Sequence, residues 1–265
     1  MPIDIPTIFY YVCKESYHLL QRQPMKRMFI VILMILPLTS YAKKTISFKA
    51  LDGLEVTGDL YLKDTSKFIV ACHMAGASRG EYKNTAKWLN RLGYSVLAID
   101  QRSGRKINGV VNETAKRAKA KGFKTRYKDV GKDILGAIRY VKKRYDPEFL
   151  VLMGSSYSAD WALIIAAGDY GIDAAVSYSP GNYFKKVEPV SGDIEIPVYI
   201  TAAANEIEKR KKASFVKNIS SEYLVLFDPE SGGKHGSRSI QRGTKGYKNY
   251  RKSLKDFLEE AQESE

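Results

Sequence analysis

What constrains this chain most is a rhythm. From residue 67 onward, short apolar runs recur: KFIVACH (67–73), SVLAID (95–100), EFLVLMG (148–154), DAAVSYS (173–179), IPVYITA (196–202) and EYLVLF (222–227). Each has the length and composition of a strand buried on both faces. Between most of them lie stretches with helical spacing. NTAKWLNRLGY (84–94) ends at Gly93, a usual helix stop. Residues 127–145 set Val130, Ile134, Ala137, Ile138 and Val141 on one helical face, and ADWALIIAA (159–167), KRKKASFVKNI (209–219) and YRKSLKDFLEEA (250–261) read as further helices. Strands alternating with crossover helices imply an α/β fold, doubly wound, with a mostly parallel sheet and helices on both faces. Upstream, TISFKA and LEVTGDLYL read as an antiparallel pair turning at Asp52-Gly53. Residues 101–126 are rich in Lys and Arg, with only Glu113 as an acid, and read as a loop or short helix passing over the sheet.

The chain has 265 residues. No repeat and no linker divides residues 43–265, which are expected to form a single domain. The start reads differently. MKRMFIVILMILPLTSYAKK, from Met25, has a positive head, an apolar core and small residues before Lys43, the pattern of a secretory signal over 25–42. The run is shorter than the roughly 20 apolar residues of a membrane span. Residues 1–24 would then be a leader upstream of the true start. A periplasmic or secreted hydrophilic chain follows. Its cysteines, Cys13 and Cys72, give neither a disulfide framework nor a zinc pattern, and cleavage after Ala42 leaves only Cys72. The formal charge is +14; losing residues 1–42, with four basic and two acidic side chains, leaves +12. Such a charge attracts anionic surfaces. Nucleic-acid binding is not favoured: the basic stretch Lys116–Lys121 carries no recognised reading module, and export argues against it.

In a parallel sheet, ligands sit at the carboxyl ends of the strands. After EFLVLM comes Gly154-Ser155-Ser156-Tyr157-Ser158, which fits the nucleophile-elbow pattern G-x-S-x-G with serine in the last place. The turn is sharp enough to push Ser156 to positive φ, so its flanks at 154 and 158 must be small. A serine hydroxyl needs a base. His235, in the loop ESGGKHGSRSI, is the candidate, with His73 as a less favoured one. The base needs a carboxylate. Glu206, in AANEIE after IPVYITA, is the candidate, with Glu208 and Asp228 as fallbacks. An oxyanion needs backbone donors. Met74 or Ala75, in His73-Met74-Ala75-Gly76, supplies one, and the amide of Tyr157 the other. Arg79, Glu81 and Tyr82 after that loop, and Asn182, Tyr183 and Phe184 after DAAVSYS, are candidates to line a cleft; Arg79, Tyr82 and Tyr183 are taken as substrate-binding.

ACHMAGASRGEY, VLMGSSYSADWAL, ITAAANEIE and GGKHGSRS, in this order, resemble the α/β-hydrolase family, in particular its small dienelactone-hydrolase-like and esterase-like members. The resemblance covers nearly all of residues 45–261. It implies the α/β-hydrolase fold, with Ser156 as nucleophile, Glu206 as acid and His235 as base, and a small-molecule acyl substrate. No cofactor or metal is required. Ser158 stands where the family usually has glycine, Glu206 where it more often has aspartate, Met74 where glycine often follows the histidine, and Ser156 where true dienelactone hydrolases have cysteine. The expected activity is hydrolysis of an ester or related acyl bond. A peptidase or amidase, or a binding protein that keeps the fold without catalysis, remain the alternatives.

Overall fold

The computed structural model describes residues 43–263; the expected leader and signal segment lie outside the described residues. Its frame is an eight-stranded sheet built from β1 (Lys43–Lys49), β2 (Glu55–Tyr61), β3 (Lys67–Cys72), β4 (Ser95–Ile99), β7 (Phe149–Ser155), β8 (Ala174–Tyr178), β9 (Val198–Thr201) and β10 (Leu224–Phe227). The spatial order is β1-β2-β4-β3-β7-β8-β9-β10. The β1–β2 and β2–β4 pairings are antiparallel, and all the others are parallel. The expected mostly parallel sheet is therefore mixed at one edge, where the opening hairpin docks.

Alternation along the strands sets the two apolar layers. On β3, Phe68, Val70 and Cys72 face one layer, and Ile69 and Ala71 the other; on β7, Leu150 and Leu152 face the first, and Phe149, Val151 and Met153 the second. Two helices fill the first layer. Helix α3 (Gly131–Tyr145) inserts Ile134, Ala137, Ile138 and Val141, and helix α4 (Tyr157–Ala166) inserts Ala162, Leu163 and Ile165. Helix α1 (Thr85–Arg91) and helix α7 (Tyr247–Glu263) cover the other face with Trp88, Leu89, Leu254, Phe257 and Leu258. Each inserted set falls on one stripe of its helix, as the 3.6-residue period requires.

Two stretches differ from their sequence reading. Residues 101–126 hold a small hairpin, β5 (Lys106–Ile107) with β6 (Val110–Val111), and helix α2 (Glu113–Ala120). The hairpin turns on Asn108-Gly109, both at positive φ (51° and 80°), a conformation asparagine and glycine tolerate. Asn112 caps α2 by accepting from the Ala115 amide at 2.7 Å. The expected helix over 209–219 is two short ones, α5 (Ala204–Lys211) and α6 (Ser214–Lys217), broken at Ala213, which is extended (ψ 135°). The break turns Phe215 and Val216 into the core. Glu206 lies in the first turn of α5.

Register decides which strand ends are neighbours. Cys72 pairs with Ile99 on one side and Gly154 on the other, Ser155 with Tyr178, Tyr178 with Thr201, and Thr201 with Phe227. The segments that follow these residues therefore emerge side by side along one edge of the sheet.

Candidate active site

At that edge the chain leaves β7 through Ser156, whose φ of 58° and ψ of −121° lie outside the regions L-residues favour. The turn is held because the Ser156 amide donates to Tyr178 O at 2.8 Å. Its tightness is read from Gly154: a Cβ there would run into the Ser158 carbonyl, so only glycine fits. Ser158, in place of the usual glycine, has a use of its own. Its hydroxyl donates to His73 O at 2.7 Å and accepts from Gln101 Nε2 at 2.6 Å, which ties the start of α4 to the end of β3.

His235 precedes a single 3-10 turn, Gly236–Ile240, and reaches across the strand ends. Its Nε2 lies 2.7 Å from Ser156 Oγ, and its Nδ1 lies 2.8 Å from Glu206 Oε1. The partners assign the tautomer: Nδ1–H donates to the carboxylate, and Nε2 accepts from the serine hydroxyl. Glu206 is further bound by Ser179, whose hydroxyl donates to Oε2 at 2.9 Å while accepting from the Gly236 amide at 3.0 Å. Burial opposes ionisation of Glu206, but the hydrogen bonds from His235 and Ser179 outweigh it and hold the carboxyl below its ordinary pKa. It is thus a carboxylate at neutral pH, able to balance an imidazolium. Ser179 was not a sequence candidate. It stands at a strand end, at positive φ (57°), a position no short motif marks.

Where the sequence left alternatives, geometry divides them. His73 is fully buried, with Nδ1 on Met74 O and Nε2 accepting from the Gln101 amide; burial pushes its pKa down to about 4. It is a neutral strut for the loop after β3. Glu208 and Asp228 both pair with Lys211, at 2.9 and 2.6 Å. Three expectations need correction. The Met74 amide is taken by Glu81 Oε2 at 2.8 Å, so it is not free for an oxyanion. Arg79 does not face a substrate: its guanidinium is buried between Asp59 (3.0 Å) and Asp100 (2.5 Å). Tyr82 is buried too, its hydroxyl donating to Cys72 O at 2.9 Å. Both side chains were read as cleft-lining because they follow the loop in sequence, but the short 3-10 turn Arg79–Tyr82 rotates them into the protein.

The amides of Ala75 and Tyr157, by contrast, have no acceptor among the described residues. Tyr157 opens α4, where the first amides of a helix are unpaired by construction. Tyr183 does reach the site. It is 48% exposed, and its hydroxyl donates to the carbonyl of Ser179, the residue that binds Glu206, at 3.4 Å. The loop that carries it is fixed by buried Asp160, which accepts from the amides of Gly181, Asn182 and Tyr183 at 2.8, 3.1 and 2.5 Å. The described residues thus bring together a hydroxyl, a base, an acid and two free amides, the parts an acyl-transfer centre needs.

Next to the Ala75 loop is a cavity of about 530 Å³ bounded by Gly76, Arg102, Arg105, Lys116, Lys119 and Tyr127, among others; Ser156, Glu206 and His235 do not line it. Gly76 adjoins Ala75, and the Tyr127 ring lies 4.6 Å from that of Tyr157, tilted by 45°. No acidic side chain lines it.

The sequence profile of the dienelactone hydrolase family matches residues 60–223. Among solved structures, an esterase of Pyrococcus furiosus superposes with a TM-score of 0.64 at 16% identity, covering 84% of this chain and 92% of that one. An α/β-hydrolase of Penicillium sp. gives 0.61 at 13% identity over 83% and 99%. An acylaminoacyl peptidase of Pyrococcus horikoshii gives 0.57 at 16% identity, covering 84% of this chain but 42% of the peptidase. None of the curated proteins matches the chain.

Proposed function

The chain belongs to the dienelactone hydrolase family, and from that premise we propose that it hydrolyses carboxylic esters by acyl transfer through Ser156, His235 and Glu206. The observation that carries this reading is the unbroken chain from Ser156 Oγ to His235 Nε2 at 2.7 Å and from His235 Nδ1 to Glu206 Oε1 at 2.8 Å. Ser156 Oγ attacks the carbonyl carbon while its proton passes to His235 Nε2. The imidazolium is balanced by Glu206, and the oxyanion is taken by the amides of Ala75 and Tyr157. His235 then protonates the departing alcohol, and the same imidazole activates the water that releases the acid. Esters are preferred to amides because the esterase of P. furiosus matches this chain over 92% of its own length, whereas less than half of the acylaminoacyl peptidase is represented here. The secretory pattern over 25–42 supports a periplasmic or secreted enzyme.

A fluorophosphonate probe tests the reading. It should label the folded protein at Ser156 alone, and an ester panel should turn over where a peptide panel does not. A folded protein left unlabelled at Ser156 would point to a scaffold without catalysis.

Charge around the cavity suggests which esters fit. Arg105, Lys116 and Lys119 line it with no acidic partner among the described residues, whereas Arg126 is paired with Asp129 at 2.8 Å. An ester carrying a free carboxylate should therefore have a lower KM than its neutral isostere at low salt. The advantage should fade as the Debye length shrinks from about 30 Å at 0.01 M to about 8 Å at 0.15 M. Equal KM values for the two esters at both salt levels would remove the preference.

A further inference from the structure

Glu81 is a carboxylate in an unexpected place. It is 1% exposed and has no cation in ion-pair contact among the described residues. Burying such a group without a counter-ion is costly unless its oxygens are fully bonded. They are. Oε1 accepts from Ser155 Oγ at 2.7 Å and from Ser237 Oγ at 2.5 Å, and Oε2 accepts from the Met74 amide at 2.8 Å. The Ser237 amide in turn donates to Ser155 Oγ at 2.9 Å, so the Ser155 hydrogen is left for Glu81. All three partners can donate to an ionised carboxylate, and their bonds oppose the burial that pushes the Glu81 pKa up.

The three donors come from three separate segments of the chain. Met74 precedes Ala75, Ser155 precedes Ser156, and Ser237 follows His235 by two residues. One side chain therefore joins the loop that offers the oxyanion amide, the turn that carries the nucleophile and the turn that carries the base. The platform beneath it is stiff. Its 3-10 turn is pinned by Arg79 between two aspartates, by Tyr82 on Cys72 O, and by Gln241 Nε2 on the Glu81 carbonyl at 3.0 Å. Gly236, between His235 and Ser237, sits at φ 70°, and a Cβ there would run into Ser155 Oγ, so only glycine lets the two turns lie this close.

We propose that Glu81 is a positioning residue for acyl transfer: by binding all three segments at once, it sets the placement of the Ala75 amide and the His235 imidazole relative to Ser156 Oγ. The proposal rests on the ester-hydrolase reading above. It does not make Glu81 a second acid for the histidine, whose Nδ1 is already held by Glu206.

Glu81→Gln is the test. The amide keeps the shape but has one acceptor and one donor end. If its oxygen takes the two hydroxyls, its NH₂ meets the Met74 N–H; if it is flipped, the serines lose their acceptor. In either case a segment is released. With a neutral p-nitrophenyl ester, and with active sites counted by phosphonate labelling, kcat per site should fall roughly 10- to 100-fold, the scale of small misplacements in catalytic geometry. KM should stay within about twofold, since the site itself is untouched. The thermal midpoint should fall only modestly, because the shape is kept and one buried hydrogen bond is lost. A purely structural staple would lower the midpoint while leaving kcat per site intact. Ser155→Ala and Ser237→Ala, each removing one hydroxyl donor, should show smaller losses in kcat of the same kind, and they carry the test if Glu81→Gln fails to fold. A kcat per site within about twofold of the parent, in Glu81→Gln or in both serine variants, overturns the proposal. A parent protein that neither turns over esters nor is labelled at Ser156 overturns the reading beneath it as well, and the two failures are told apart by that control.

Discussion

Ser156→Ala should abolish ester turnover, lowering kcat by roughly 10⁴- to 10⁶-fold, while leaving the protein folded. The size follows from the role: without the hydroxyl no acyl-enzyme forms, and only binding and the two oxyanion amides are left to assist water. The fold should be spared for reasons visible at the turn. Ser156 is 6% exposed, and alanine adds no atoms. The backbone strain at φ 58° is the same for either residue, and the turn is held by the Ser156 amide on Tyr178 O, which alanine keeps. The change in stability should stay within about 1 kcal/mol, which is ordinary for losing one partly buried hydrogen bond. Steady-state kinetics on a neutral p-nitrophenyl ester, paired with thermal unfolding of the same preparation, reads both. Turnover within tenfold of the parent, with the fold intact, would assign the chemistry to another group.

How far the site was legible depends on how each part is encoded. Ser156, Glu206 and His235 were readable as candidates because each lies in the segment after an apolar run, and a parallel sheet sends those segments to one edge. Ala75 and Tyr157 were readable for the same reason, as neighbours in sequence of a strand end or of the nucleophile. What failed depended on lateral order. In sequence β3 comes before β4, but in the sheet β4 lies between β2 and β3. That exchange brings Asp59, on β2, and Asp100, after β4, onto Arg79, so the arginine is spent inside the protein. Glu81 and Ser179 act only through partners that tertiary structure supplies, and no local pattern foretells them. The β5–β6 hairpin is the opposite case. Asn108-Gly109 is a strong turn signal. Its flanks, Lys106–Ile107 and Val110–Val111, are each two residues long, too short to show the alternation that marks a strand.

The largest loss of stability should come from Arg102, which touches none of the three reacting side chains. It is 1% exposed and grips two aspartates at once: Asp52 through Nη1 and Nη2 at 2.8 and 2.9 Å, and Asp133 through Nε and Nη2, at 2.8 Å for the latter. Asp133 is fully buried at the start of α3, Asp52 lies in the β1–β2 turn, and Arg102 follows β4, so one guanidinium joins three elements. Burial pushes Asp133 up, opposed by Arg102, whereas the hydrogen bonds from Arg102 hold Asp52 down at about 2. For Asp52 the sign is that of a lowered acid. Its share of the stability is complete above the ordinary carboxylate range and is lost as pH falls from about 4 towards 2. Arg102→Met removes the cation but leaves Asp133 in the core. Breaking a buried pair this way costs about 3–5 kcal/mol, far more than the median exposed pair at about 0–1 kcal/mol. For a domain of this size that corresponds to a fall in the thermal midpoint of about 10 °C. Lys252→Ala, which breaks an exposed pair with Asp256 on α7 (2.6 Å), should move it by no more than about 2 °C. Adding Asp133→Asn to Arg102→Met should recover part of the loss, since the orphaned charge is then gone. Below its midpoint, Arg102→Met should still be labelled by the phosphonate at Ser156, because none of its partners touches Ser156, His235 or Glu206. An Arg102→Met midpoint no lower than that of Lys252→Ala would show that the buried cluster holds nothing together.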